Sequence, residues 1–237
     1  GMRVTGSELV GLVPLKVMLD AGRYFLDLQG RSTGVSENEL IHIAIKSLGL
    51  DELGPFDPNK KIIERVLAQA DVRPLMSMKL NEFADETASD SPAPGGGSIS
   101  AYVGALGVSL GTMVANLSAI KKGWDDKWEY FSDVAADGQK IKDELLFLVD
   151  EDTNAFNKII EAIRLPKATD EEKATRKQAI TAATKFAIDI PLRVMTTAHS
   201  SYALLKLMAE KGNPASVSDA GVGALCARAG VRGAYLN

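Results

Sequence analysis

Hydrophobic positions along the 237-residue chain recur at helical spacing almost throughout. From Ser77 onward the apolar residues return every three or four positions, and no alternation of period two is long enough for a sheet strand. The pattern predicts helices over residues 79–89, 98–119, 125–164, 169–188, 191–211 and 218–235. Local chemistry agrees. Thr169 with Glu172 three positions later forms a capping box, Gly212-Asn213-Pro214 is a stop, and Ser218-Asp219 is a start. The break between 188 and 191 is placed at Pro191, because proline has no N–H for the helical ladder.

Before residue 77 the punctuation is denser. Residues 4–13 read as a strand or the approach to one, and Pro14 opens an amphipathic helix through Leu28. Ser36 with Glu39 caps a second helix whose apolar stripe is Leu40, Ile43, Ala44 and Leu48, and Gly49 closes it. Gly54-Pro55-Phe56-Asp57-Pro58 predicts a turn, residues 59–70 a further helix, and Arg73-Pro74 its end. The chain therefore divides near residue 72. The expected fold class is mainly α: an all-helical bundle over 73–237, preceded by a small α(+β) unit over 1–72.

Composition narrows the partners. A content of 46% hydrophobic and 24% charged residues suits a packed domain, and a formal net charge of −4 offers no basic face for nucleic acid. One cysteine, Cys226, excludes an internal disulfide framework, and two histidines, His42 and His199, are too few and too scattered for a typical zinc site. Gly1-Met2-Arg3 carries no apolar export signal, so the cytosol is the expected compartment. Residues 91–120 contain no charge and are long enough to span a bilayer. They are rich in Gly, Ala, Ser and Thr rather than Leu and Phe, and open with two prolines, which favours tight packing in a soluble core over a membrane helix.

Four segments can carry chemistry. In the first, Gly95, Gly96 and Gly97 lead through Ser98 into the small-residue helix; the glycines permit close backbone approach, Ser98 can cap, and the N–H groups of the first turn favour a carboxylate or phosphate. A plain tight turn explains the same residues. The second is the helix over 125–164, whose apolar seam runs Val134, Ile141, Leu145, Leu148, Phe156, Ile159 and Ile163. Asp152 falls on that seam, four residues from Leu148 and from Phe156, whereas Asp150 and Glu151 face away, so Asp152 is the member of the trio expected to be buried. A carboxyl in an apolar crevice tends to keep its proton and can serve as a general acid, while a structural aspartate is the alternative. Third are Lys121 and Lys122, which either complement the helix dipole or attract a polyanionic ligand. Last is the closing helix, where Arg228 and Arg232 lie one turn apart and Gly221, Gly223, Gly230 and Gly233 leave a smooth surface for close packing or ligand approach.

Ser-Pro-Ala-Pro-Gly-Gly-Gly-Ser at 91–98, Leu-Val-Asp-Glu-Asp-Thr-Asn-Ala-Phe at 148–156, Arg-Leu-Pro-Lys at 164–167, Ser-Asp-Ala-Gly-Val-Gly-Ala-Leu at 218–225 and Arg-Gly-Ala-Tyr-Leu-Asn at 232–237 resemble the formiminotransferase-cyclodeaminase family in order and spacing. Residues 4–64 likewise resemble the end of the transferase part. The resemblance implies a formiminotransferase remnant over 1–72 and a cyclodeaminase domain over 73–237. It implies closure of formimino-tetrahydrofolate to methenyl-tetrahydrofolate with loss of ammonia, without a metal, in the setting of histidine degradation. It also maps the family's proton donor onto Asp152. By position in the motifs and by charge, Gly95, Gly96, Gly97, Ser98, Lys121, Lys122, Asp219, Arg232 and Asn237 are candidates for holding the folate or its glutamate tail.

The resemblance further implies at least a homodimer, with residues 98–119 in the contact, and no formimino transfer from formiminoglutamate, whose catalytic half this sequence lacks. The family pattern continues beyond Asn237. Two alternatives stay open: a cyclohydrolase acting on methenyl-tetrahydrofolate, and a non-catalytic helical module for folate polyglutamates or subunit assembly.

Overall fold

The computed structural model describes residues 6–68 and 74–237, apart from the side chain of Ala68. Nine α-helices and one short 3-10 helix account for the regular structure among them: α1 Leu15–Leu28, α2 Glu37–Leu48, α3 Pro58–Lys61, α4 Ile63–Ala68, α5 Leu80–Thr87, α6 Gly96–Ala119, α7 Trp128–Arg164, α8 Asp170–Lys211, the 3-10 turn Pro214–Ser216, and α9 Val217–Leu236. The all-helical fold is the one expected. Contacts group the chain into two compact units, residues 1–72 with 115–139, and residues 73–114 with 140–237.

In the first unit, α1 and α2 pack together over Val13, Met18, Ile41, Ala44, Ile45 and Ile62. Gly22 is needed at their contact, because a Cβ there would stand 2.2 Å from the Leu40 carbonyl oxygen. Of the capping box expected at the start of α2 the Ser36 half forms, its hydroxyl accepting from the Glu39 N–H, and Gly49 closes the helix at φ +65° as expected. Two expectations need correction. Residues 6–13 form no strand, and all that remains of one is a single parallel bridge between Val13 and Ile62, with residues 4 and 5 outside the described range. The helix expected over 59–70 is interrupted at that same bridge: Ile62 turns extended so that Val13 can bond on either side of it, to the Lys61 carbonyl and the Ile63 N–H. Residues 69 and 70 lie outside the described range. The loop after α1 is fastened to the 115–139 segment, where Asn116 and Gln139 both donate to the Gly34 carbonyl.

The second unit holds the main core, built from Leu75, Ala101, Ala105, Val108, Leu145, Leu148, Val149, Ala155, Ile190, Val194, Ala198 and Ala234. Here α8 is one helix of 42 residues, where a break was expected at Pro191. Proline removes one ladder hydrogen bond, but Ile190, Val194 and Ala198 are buried on either side of it, and their packing keeps the helix continuous. Its start is the predicted capping box, with Glu172 N–H bonded to the Thr169 hydroxyl and Thr169 N–H to the Glu172 carboxylate. Glycines bring α6 and α9 into backbone contact: a Cβ on Gly107 or Gly223 would lie 2.7 Å from the other's carbonyl oxygen, and one on Gly230 would lie 2.9 Å from that of Ser100. Helix α6 meets the length and apolarity of a spanning helix, with a mean hydropathy of 1.5 and 61% of that stretch buried in the molecule.

Candidate active site

The glycine run and the acidic trio, 54 residues apart in sequence, meet at the N-terminal end of α6. Asp152 projects from α7 toward Ser98. Its Oδ2 accepts from the Ser98 N–H at 2.9 Å and lies 3.1 Å from the Ser98 hydroxyl; its Oδ1 accepts from the Asn237 side-chain amide at 3.2 Å. Ser98 is fully buried, Asp152 half-buried and Asn237 exposed. The helix N-terminus that the sequence marked as an anion site thus receives a carboxyl group of the chain itself. Ser98 lies inside α6 and does not cap it.

Gly97 makes the approach possible. A Cβ at this position would stand 2.1 Å from Asp152 Oδ1 and 2.6 Å from the Asn237 amide nitrogen. At Gly96 the nearest such atom is 3.8 Å away, and at Gly95 it is 3.9 Å away. One glycine of the three is therefore sterically required.

The Ser98 hydroxyl has one hydrogen and two acceptors in reach, Asp152 Oδ2 and the Val149 carbonyl at 2.8 Å. When it donates to Val149, its oxygen can accept a proton held by Asp152; when it turns to Asp152, it can support the carboxylate.

Beside this cluster lies a cavity of about 240 Å³, lined by Pro92, Ala93, Gly95, Asp152, Thr153, Ala155, Phe156, Ile159, Ala187 and Asn237. It combines an apolar wall from α7 with one carboxyl and one amide. Its volume falls below the roughly 300–1,000 Å³ of pockets that enclose drug-sized ligands, which suits one ring system better than a long molecule.

Burial in the acidic trio differs from expectation. Asp150 is the buried member, 4% exposed, and its carboxylate takes the N–H groups of Leu75 and Met76 at 3.0 and 3.3 Å. It fastens the chain leading into α5. Leu145 and Leu148 of the seam are buried, whereas Phe156 and Ile163 are each 46% exposed; past Asp152 the buried stripe continues through Ala155 and Ala162 instead. The seam opens where the cavity begins, which is why Asp152 is reachable from solvent.

Not every candidate joins the cluster. Asp219 sits in the first turn of α9, roughly 27 Å along that helix from Asn237 at 1.5 Å per residue. Arg232 is exposed a little over one turn before Asn237 and does not line the cavity. Lys121 and Lys122 follow the C-terminal end of α6, in the other unit, where Lys121 Nζ lies 3.9 Å over the Trp124 ring and Trp124 stacks on Phe131. Of the cavity residues, Ala187 lies outside every motif and seam read from the sequence, and Thr153 entered only as part of the motif at 148–156. The nearest clue was Pro191, four residues after Ala187. The carboxylates with a clearly lowered pKa belong to the first unit: Asp20 through its hydrogen bond from Lys16, and Asp51 through that from Lys46. Among the described residues no group of three or more His, Cys, Asp or Glu is arranged to hold a metal ion.

Fold and cluster together define an all-helical protein with an acid–hydroxyl–amide site at one helix end. Comparison with known proteins makes this specific: the chain belongs to the formiminotransferase-cyclodeaminase family, whose profile matches residues 79–237, while the formiminotransferase domain profile matches residues 1–68. Formimidoyltransferase-cyclodeaminase of Gallus gallus is 37% identical over 235 residues, covering 99% of this chain and 43% of that protein. The chain thus spans less than half the length of such relatives. Methenyltetrahydrofolate cyclohydrolase of Methylorubrum extorquens is 39% identical over 158 residues, covering 67% of this chain and 76% of that protein. The crystal structure of formiminotetrahydrofolate cyclodeaminase from Thermotoga maritima superposes with a TM-score of 0.59 at 28% identity, covering 68% of this chain and 76% of that one.

Proposed function

We propose that this chain is a formimino-tetrahydrofolate cyclodeaminase, which closes the formimino group into the methenyl bridge and releases ammonia. The observation that supports this reading best is Asp152, held by Ser98 and Asn237 on the wall of a cavity sized for a ring. In the proposed reaction the neighbouring folate nitrogen attacks the formimino carbon and its proton passes to the formimino nitrogen, whose C=N π bond opens, giving a tetrahedral carbon bonded to three nitrogens. The exocyclic amine must then leave, and it does so as ammonia once protonated. Asp152 supplies that proton, and the Ser98 hydroxyl, turning from Val149 to Asp152, supports the carboxylate left behind. The substrate is a tetrahydrofolate derivative, with or without a polyglutamate tail, the working form is at least a dimer, and the compartment is the cytosol. Asp219, Arg232, Lys121 and Lys122 take no part in this proposal, because none of them lines the cavity.

The similarity to the Methylorubrum extorquens cyclohydrolase favours a second reading, in which the same site adds water to methenyl-tetrahydrofolate. Incubating the purified chain with formimino-tetrahydrofolate separates the two. Methenyl-tetrahydrofolate and ammonia formed in equal amounts are the expected result; no ammonia from that substrate, with hydrolysis of added methenyl-tetrahydrofolate, would establish the second reading instead.

A further inference from the structure

Two polar groups carried by residues that line the cavity lack the partner that the fold normally gives them. Thr153 follows Asp152 on α7 and lines the cavity; its Oγ1 is shielded from solvent and has no hydrogen-bond partner among the described residues. A helical threonine usually donates to the carbonyl four residues back. Here that carbonyl belongs to Val149, which already accepts from the Ser98 hydroxyl as well as serving the α7 ladder. Ala187 of α8 lines the same cavity, and its carbonyl points along a helix whose residue four positions on is Pro191, which has no N–H to donate. Buried polar groups are rarely left unpaired, and departures from the local rules gather at functional sites. Both departures occur at one cavity, next to the carboxyl that the proposed reaction uses.

We infer that the Thr153 hydroxyl and the Ala187 carbonyl recognise the heterocycle bound in this cavity. The carbonyl can only accept, so it calls for a ligand N–H; the hydroxyl can donate, so it satisfies a ligand C=O beside it. Such an amide-like edge is what the pyrimidinone side of a pterin presents. Phe156, Ala155 and Ile159 supply apolar surface for the ring faces. Thr153 reaches the ligand by a step between the two χ1 rotamers open to a helical threonine. Thr153 and Ala187 are thus positioning groups that set which ring enters, while Asp152 acts on it, and the assignment rests on the folate reading above.

The test uses the whole chain, with Thr153→Val, Thr153→Ser and Pro191→Ala, and 5-formyltetrahydrofolate as a stable reduced-folate probe in calorimetry, alongside the thermal midpoint without ligand. Because the threonine hydroxyl is unpaired in the free protein, Thr153→Val is expected to keep or raise the midpoint while weakening the probe about three- to tenfold. Thr153→Ser is expected to bind as the wild type does. Pro191→Ala restores a donor to the Ala187 carbonyl and is expected to weaken the probe in the same range. Wild-type affinity in Thr153→Val would overturn the assignment, as would a lowered midpoint with Thr153→Ser equally impaired, the signature of a structural threonine. Should the wild type itself not bind the probe, the folate reading falls; binding by wild type and Thr153→Val alike removes only this assignment.

Discussion

Gly97 decides whether the carboxyl of Asp152 reaches its place, since any side chain there would overlap Oδ1. Gly97→Ala is therefore expected to turn Asp152 aside and lower turnover about 100-fold, the scale on which a misplacement of about 1 Å acts. Gly95→Ala meets only ordinary contact and is expected to stay within a few-fold of wild type, in the same turnover assay. Asn237→Ala removes the donor to Oδ1, and a loss of about three- to tenfold is expected from one hydrogen bond. Both segments of this cluster stood out in the sequence, the triple glycine as a bend of close backbone approach and Asp152 by the seam count, but the burial which that count assigned to Asp152 belongs to Asp150. What the sequence concealed was that the bend and the acid bind each other, a contact across 54 residues that local pattern cannot reveal. Asp150 was concealed for the same reason, since its partners are two backbone N–H groups 75 and 74 positions away.

Helices were readable because amphipathic spacing is a local property, and most predicted ends fall within a few residues of those observed. The failures were also physical. Proline 191 signalled a stop on local grounds, yet core packing on both sides carried α8 through it. Residues 6–13 had strand-like content but no neighbouring strand to pair with, so only the Val13–Ile62 bridge formed. The glycines of α9 announced close packing without saying which of them touch. Gly223 and Gly230 face the α6 backbone, while a Cβ on Gly221 would meet nothing within 4 Å. Alanine at 223 or 230 is expected to destabilise the fold by about 1–3 kcal/mol through overpacking. Alanine at 221 is expected to stabilise it by about 0.5–1 kcal/mol through higher helix propensity. Urea unfolding of the three variants checks both signs.

At the scale of the molecule, the contact grouping joins residues 115–139 to the N-terminal segment, an arrangement that no linear boundary in a sequence can express. Association is the other property of this scale. Leu106 and Met113 stay exposed two turns apart on α6, apolar surface of the kind that subunit contacts cover. Sedimentation equilibrium is expected to give a dimer or larger assembly, and a monomer at micromolar concentration would contradict this. Whatever the assembly, the chemistry proposed here runs through a single carboxyl. The decisive measurement is therefore the rate at which wild type and Asp152→Asn convert formimino-tetrahydrofolate, followed by methenyl absorbance and ammonia, with circular dichroism to compare their folds. Asparagine preserves shape but cannot donate an acid proton, so a loss of about 100- to 10,000-fold with the helical spectrum intact is expected. An Asp152→Asn enzyme that turns over at the wild-type rate would contradict the account.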